Sequence, residues 1–189
     1  MQLTVHQLLE AVNGTLLFGS PDTLFRFVST DSRAAMTTEL FIPLVGETHD
    51  GHQYIENAVA NGAIGFLTQS ETAAQAGKFG VLVEDTTKAL GDLAAYVLAK
   101  SQAKVIAITG SVGKTTTRQF VASVVAKKGK TLATSGNFNN HIGLPLTVLK
   151  MEGDEEFIVL EMGMNHFGEI SYLSNLAHPH IAIISLIGT

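Results

Sequence analysis

Residues 109–117, Thr109-Gly110-Ser111-Val112-Gly113-Lys114-Thr115-Thr116-Thr117, put two glycines, a lysine and a row of hydroxyls in the order that triphosphate recognition requires. In such a loop the backbone N–H groups of Gly110, Ser111, Val112, Gly113, Lys114, Thr115 and Thr116 surround phosphate oxygens. The N-terminus of the following helix adds about half a positive charge. Lys114 is placed to reach the β- and γ-phosphates, and the Thr115 hydroxyl to ligate Mg²⁺. The glycines supply backbone dihedrals and clearance that a Cβ would obstruct. The common phosphate-loop pattern has a further glycine five residues before Gly113, where this chain has Ile108, so the loop is a shortened form, Thr-Gly-x-x-Gly-Lys-Thr-Thr. It predicts a chain that binds ATP or GTP.

A second group lies downstream. Phe157-Ile158-Val159-Leu160 reads as an apolar strand that ends on a carboxylate, Glu161, and in a parallel sheet that end lies beside the phosphate loop. Glu161 is therefore a candidate Mg²⁺ ligand, direct or through water, and one carboxylate beside Thr115 is a sufficient protein share for a cation that keeps its waters and phosphates. The alternative is a strand-end glutamate facing solvent. Two amide-rich loops follow strands: 136–145, with Asn139 and Asn140, and 162–169, with Asn165 and His166. Asparagine suits both sugar and amide recognition and ordinary turn chemistry, and composition leaves both open. Nearer the N-terminus, Thr30-Asp31-Ser32-Arg33 and the loop 46–52, with Asp50 and Gly51, place polar side chains after strands. Arg33 suits bidentate recognition of phosphate or carboxylate, and the plainer reading makes these segments a turn and a surface loop. The pairs His49 and His52, and His178 and His180, lack a third ligand at metal-binding spacing and read as solvated or turn histidines.

The elements that must position these groups fall into two rhythms. Residues 1–84 read as a small mixed α/β domain: a helix over 5–12 behind Thr4 as N-cap, strands over 15–18, 25–29 and 40–44, a helix over 54–61 stopped by Gly62, and strands over 64–68 and 81–84. Residues 85–189 read as longer alternation: helices over 87–99, 115–128 and 168–176, and strands over 105–109, 131–134, 157–162 and 181–187. Such alternation implies a parallel, doubly wound sheet. After Lys114 the apolar positions Phe120, Val121, Val124 and Val125 read as one buried helical face.

Composition narrows the partner. A 46% apolar chain of 189 residues can bury a core, and a net charge of −5 with scattered Lys and Arg argues against nucleic acid. The absence of cysteine excludes disulfides and thiolate metal sites and fits the cytoplasm. No basic segment with an apolar core opens the chain, and the longest apolar runs are too short to span a bilayer.

Taken together, 109–117, Asn137-Phe138-Asn139-Asn140-His141-Ile142-Gly143-Leu144-Pro145 and Glu161-Met162-Gly163-Met164-Asn165-His166-Phe167-Gly168-Glu169 resemble the Mur ligase family. The family shares the shortened loop, and Ser111 with the Asn-Phe-Asn-Asn run points to its D-alanyl-D-alanine-adding branch. The resemblance implies an ATP-dependent amide ligase of peptidoglycan precursor synthesis. Such an enzyme phosphorylates the carboxylate of a UDP-N-acetylmuramoyl peptide and lets the amine of D-alanyl-D-alanine attack the acyl phosphate. By the same resemblance, Lys114 neutralises the transferring phosphate and Thr115 and Glu161 hold Mg²⁺. Asn139, Asn140, Asn165 and His166 then approach the substrate, while Thr30, Asp31, Ser32, Arg33, Asp50 and Gly51 hold its UDP end. It further implies that 1–84 is a UDP-substrate domain and 85–189 the front half of a central ATP-binding domain, so that the chain is an N-terminal portion with no ligase activity of its own. A folylpolyglutamate- or cyanophycin-type ligase, another Mur ligase, and a non-catalytic nucleotide-binding module are the alternatives.

Overall fold

The computed structural model describes residues 2–34, 37–72 and 76–188. The chain divides into two compact units, Met1–Leu93 and Ala94–Thr189. The division falls inside the helix Thr86–Lys100, whereas the rhythm of the sequence changes at residue 84.

The first unit runs β1 (Leu3–Thr4), α1 (Val5–Val12), β2 (Thr15–Phe18), β3 (Leu24–Phe25), β4 (Phe27–Ser29), β5 (Glu39–Phe41), a 3₁₀ turn (Gly51–Tyr54), α2 (Ile55–Ala60), β6 (Gly65–Thr68), β7 (Phe79–Leu82) and the start of α3 (Thr86–Lys100). Helix α1 begins where Thr4 predicts. The Thr4 hydroxyl accepts the Gln7 N–H while the Gln7 side chain accepts the Thr4 N–H, a reciprocal capping box, and the helix ends on Asn13 in the left-handed region. The main sheet has the order β2-β7-β6-β5-β4, parallel except for β2 against β7. Its core is aromatic: Phe41, Phe66 and Phe79 are fully buried, and Phe41 and Phe66 pack with Ile55, Ala58 and Ala63. Gly65 is required because the Phe79 ring stands 2.4 Å from where a Cβ would be.

The single strand expected over 25–29 is two strands. Arg26 turns its N–H to the Thr38 carbonyl, so Phe25 joins β1 while Phe27–Ser29 pairs with β5. The strand expected to reach residue 44 stops at Phe41, just before Pro43, which has no N–H to give a ladder. The helix expected from residue 54 opens as a 3₁₀ turn capped by Asp50.

The second unit continues with β8 (Lys104–Thr109), α4 (Lys114–Val125), β9 (Thr131–Ala133), α5 (Gly143–Val148), β10 (Phe157–Glu161), α6 (Glu169–Ala177) and β11 (Ile181–Ile184). Its sheet is wholly parallel in the order β11-β8-β10-β9, as the alternation predicts. From β8 the chain moves to β9 and back to β10 on one side, then crosses to β11 on the other. The C-terminal end of β8 is thus a topological switch point, where open α/β sheets bind ligands.

Two expectations fail here. Of the four apolar positions on α4, only Val121 and Val125 pack on Ile106, Ile108 and Val159, while Phe120 and Val124 are 68% and 66% exposed. The pairs 120/124 and 121/125 are adjacent i, i+4 rows, and the sheet takes the second row, with Ala122 completing it. The loop over 136–145 contains the start of a helix, α5, because the Asn140 side-chain oxygen Oδ1 accepts the Gly143 N–H at 2.8 Å and the Ile142 N–H at 3.2 Å. Pro145 is tolerated there because first-turn N–H groups have no partner in any case. Among the described residues, no helix is long and apolar enough to cross a membrane.

Thr4→Ala removes one half of the capping box and should destabilise the first unit by about 1 kcal/mol. Urea unfolding followed by a probe in that unit measures it, and an unchanged midpoint would show that β1–β3 pairing alone holds α1.

Candidate functional site

The turn after β8 separates its donors from its acceptors. Gly110 has φ +139° and Gly113 φ +86°. A Cβ on Gly110 would lie 2.3 Å from the Ser185 hydroxyl oxygen, so glycine is obligatory there on contact as well as on conformation. The carbonyls of the loop are taken from behind. The Ser185 N–H donates to Thr109 at 2.9 Å and the Ser185 hydroxyl to Val112 at 2.7 Å. The Lys114 ammonium folds onto the Gly110 carbonyl at 2.7 Å. At the opening of α4 the situation is reversed. Gly113, the N-cap, makes no side-chain cap bond, and the N–H groups of Lys114, Thr115 and Thr116 precede any intrahelical acceptor. They form an outward donor cluster at the positive end of the helix, and the Thr115 side chain beside them is exposed.

Ser111 differs from expectation. Its N–H donates to the Leu186 carbonyl at 2.6 Å and its hydroxyl accepts the Gly188 N–H at 2.9 Å. Both its N–H and its hydroxyl serve the strap over 185–188. The reading of 181–187 as one strand hid that strap: β11 ends at Ile184, and the following residues turn onto the loop.

Glu161 closes β10 directly beside this turn, paired in register with Ile108 of β8. It is only 3% exposed, which removes the solvent-facing alternative. The Glu161 N–H donates to the buried Thr134 hydroxyl at 3.0 Å, and the side-chain amide of Asn139 donates to Oε1 at 3.0 Å. On the other oxygen, Oε2, the nearest cation is Arg118 Nε at 3.3 Å, and neither atom makes a hydrogen bond. A buried carboxylate oxygen with free lone pairs is a fitting donor for a hard divalent cation, as is the hydroxyl of the exposed Thr115.

Arg118 and Thr134 were missed in the sequence. A signal existed for the first, since Arg118 lies four residues after Lys114 and so on the same face of the helix that starts at the loop. Asn139, expected to approach substrate, is instead committed to Glu161, and its carbonyl accepts the Gly163 N–H. The Asn140 side-chain oxygen is spent on the N–H groups of Ile142 and Gly143 where α5 opens. Asn165 and His166 are exposed, and their N–H groups converge on the Glu169 carboxylate, which they hold below the ordinary carboxylate range.

The first unit has its own cavity, of about 550 Å³, between the turn after β4 and the 3₁₀ turn. Thr30, Asp31, Ser32 and Arg33 line one side, and Gly51 with the stacked rings of His49 and Tyr54 lines the other. Both Arg33 Nε and Nη2 donate to Asp31 at 2.8 Å, which lowers the Asp31 carboxyl to about 2. Two of the five guanidinium donors are therefore spent within the turn. Ser32 is buried and pins the turn to α2, its carbonyl accepting from Asn57 and Asn61.

Asp50 lines a neighbouring cavity of about 650 Å³ rather than this one. Its carboxylate accepts the His52 N–H at 2.9 Å and the His52 ring nitrogen Nδ1 at 2.6 Å. The Gln69 N–H donates to His52 Nε2, so the proton of the neutral ring is on Nδ1. These bonds, the backbone one first, hold Asp50 below the usual carboxylate range. Elsewhere among the described residues only Glu152, Asp154 and Glu155 cluster with metal-binding spacing, and Lys130 together with the N–H groups of Glu152 and Gly153 already occupies those carboxylates.

Comparison with known proteins agrees with this geometry. Residues 108–189 match the Mur ligase middle domain and residues 24–97 the Mur ligase family, catalytic domain. Over 187 residues the chain is 44% identical to the UDP-N-acetylmuramoyl-tripeptide–D-alanyl-D-alanine ligase of Bacillus subtilis (strain 168), covering 98% of this chain and 41% of that protein. The enzyme of the same name from Escherichia coli (strain K12) is 36% identical over 185 residues, covering 98% and 40%. Among solved structures, MurF from Acinetobacter baumannii superposes with a TM-score of 0.90 at 38% identity, over 97% of this chain and 40% of that one. MurF ligase from Thermotoga maritima, in complex with ADP, superposes with a TM-score of 0.77 at 32% identity, over 86% and 38%. The chain thus spans about 41% of the length of the curated relatives it matches. With Mur ligase models matching most of its residues, and a shortened phosphate loop facing a buried strand-end carboxylate, the chain belongs to the Mur ligase family.

Proposed function

We propose that the chain is the substrate-binding and phosphate-loop portion of an ATP-dependent amide ligase that joins D-alanyl-D-alanine to a UDP-N-acetylmuramoyl tripeptide. The observation that carries this reading is the junction of β8, the loop and α4, where free N–H donors and Lys114 stand beside Glu161. The names of the relatives support the substrates, and the ADP in the Thermotoga maritima structure supports the nucleotide. In the reaction, a carboxylate oxygen of the peptide takes the γ-phosphoryl group and ADP leaves. The amine of the dipeptide then attacks the acyl carbon, phosphate departs and the amine proton is released.

Phosphoryl transfer depends on positioning and charge neutralisation, and the residues of this chain divide that work. The N–H groups of Val112 through Thr116 receive phosphate oxygens, and Lys114 leaves the Gly110 carbonyl to neutralise the transferring group. Thr115 and Glu161 would hold Mg²⁺, which would supply charge neutralisation for the transferring phosphoryl group. Asn139 orients Glu161. Asn165 and His166, exposed on the loop after β10, are left to approach the peptide substrate, with Asn140 contributing its free amide. In the first unit the cavity of Thr30 to Arg33 receives the UDP end, with ring stacking on His49 and Tyr54 and the unused donors of Arg33 available to the diphosphate. Residues 1–84 are on this reading the UDP-substrate domain and 85–189 the front of the ATP-binding domain, working in the cytoplasm.

Lys114→Ala should lower ATP turnover of the full ligase by about 10²-fold or more, since it removes a transition-state charge and no packing. A steady-state assay with circular dichroism as a folding control measures it, and a loss below severalfold removes Lys114 from the reaction. Glu161→Gln keeps the shape but not the charge and should move the Mg²⁺ titration of activity to higher concentration. An unchanged curve would assign the carboxylate to structure alone. Ser185→Ala strips the hydroxyl bond from the Val112 carbonyl and should weaken MgATP binding by up to about tenfold, the scale of one hydrogen bond. Calorimetry measures it, and wild-type affinity would show that the strap does not set the loop.

A further inference from the structure

Among the described residues, two arginine–carboxylate pairs have contrasting geometry. In the first unit Arg33 and Asp31 are exposed, yet they form two parallel bonds of 2.8 Å. In the second unit Arg118 and Glu161 are buried, where desolvation makes complete pairing far more demanding. There the guanidinium Nε lies 3.3 Å from Oε2 without a hydrogen bond, and both atoms are unpartnered. Leaving a buried donor and acceptor unmade is costly, and charge balance alone gives part of that cost back. The rest of the carboxylate is fixed: Asn139 holds Oε1 and Thr134 holds the backbone N–H. Only the face toward Arg118 is neutralised without a protein hydrogen bond.

We propose that Arg118 is a positioning residue, the resident counter-ion of Glu161, which balances the buried carboxylate while no divalent cation is bound and leaves the Oε2 lone pairs free for one. This rests on the reading of Glu161 as a metal-facing carboxylate. Arg118 projects from α4 one turn beyond Lys114, so the helix that offers N–H donors to phosphate also supplies the charge that balances the metal-facing carboxylate. The consequence is a trade. With Arg118 present the metal-free site is stable and the cation meets an opposing charge, so it binds exchangeably. Without Arg118 the empty site is strained by an uncompensated carboxylate and the cation binds more tightly.

The test titrates MnCl₂, in the presence of ADP, into the 189-residue chain and its variants, reading bound Mn²⁺ by electron paramagnetic resonance and stability by calorimetric melting. Arg118→Met should melt lower than wild type without metal, recover more on adding Mn²⁺ than wild type does, and bind Mn²⁺ about tenfold more tightly or better, as removal of a unit charge a few ångströms away requires. Arg118→Lys, which keeps the charge on a shorter stem, should fall between. The double variant Arg118→Met/Glu161→Gln should regain melting temperature and lose the Mn²⁺ response. A lower melting temperature with unchanged or weaker Mn²⁺ affinity in Arg118→Met would make the arginine merely structural and overturn the proposal. Should that variant not fold, Arg118→Lys decides alone: tighter Mn²⁺ binding than wild type supports the proposal, and equal or weaker binding overturns it. Absence of a Mn²⁺ response in wild type would instead strike the metal-facing reading of Glu161, and the counter-ion role with it.

Discussion

The parallel register of β10 against β8, with Glu161 opposite Ile108, is the constraint on which the rest of the second unit depends. It sets a carboxylate beside the turn that leaves β8, and that position is inside the protein, not at its surface. A slip of one residue would turn every side chain of β10 to the other face. Glu161 would then leave Asn139 and Thr134, and an apolar neighbour would take its place. Continuous burial of Ile158, Val159 and Leu160 against Val105 to Ile108 is what makes such a slip costly. The chemistry at the strand ends is thus held by residues that do none of it.

The same economy governs the loop. A phosphate nest works only if its N–H groups turn forward, which requires its carbonyls to find partners behind. Ser185 and Lys114 supply those partners. The backbone between Gly110 and Lys114 is therefore fixed by residues some seventy positions downstream as much as by its own glycines. In the first unit the polar turns are also satisfied from within, Asp31 by Arg33 at one cavity and Asp50 by His52 at its neighbour, so each turn has already spent part of its polar groups.

What the sequence made legible follows from the range of each signal. The N-cap at Thr4, the helix over 5–12, the parallel alternation and the glycine-lysine turn are local patterns, and each appears where its residues predict. The break at Arg26 was invisible because a period-2 pattern continues through a residue that changes sheets. Phe120 and Val124 misled because adjacent helical rows were both apolar, and only the sheet decides between them. The site was legible in its members but not in their bonds. Asn139 and Ser111 both carry groups suited to a ligand, and both spend them inside the protein on partners that only folding brings near.

That last distinction bears on how helix α4 should be understood. Its first turn has unpaired N–H donors and its second carries Arg118 into the interior, while Val121 and Val125 fasten it to the sheet. A positive helix end beside an unshielded buried carboxylate would attract a cation and a phosphate to the same small volume, with each charge poorly balanced until both arrive. Arg118 removes half of that difficulty, because it neutralises the carboxylate from within the helix and so lets the donor end keep its attraction for anions. On the proposed reading, a residue that looks like ordinary helix surface in the sequence lets, by its position one turn past Lys114, an acid and an anion-binding helix end share one site.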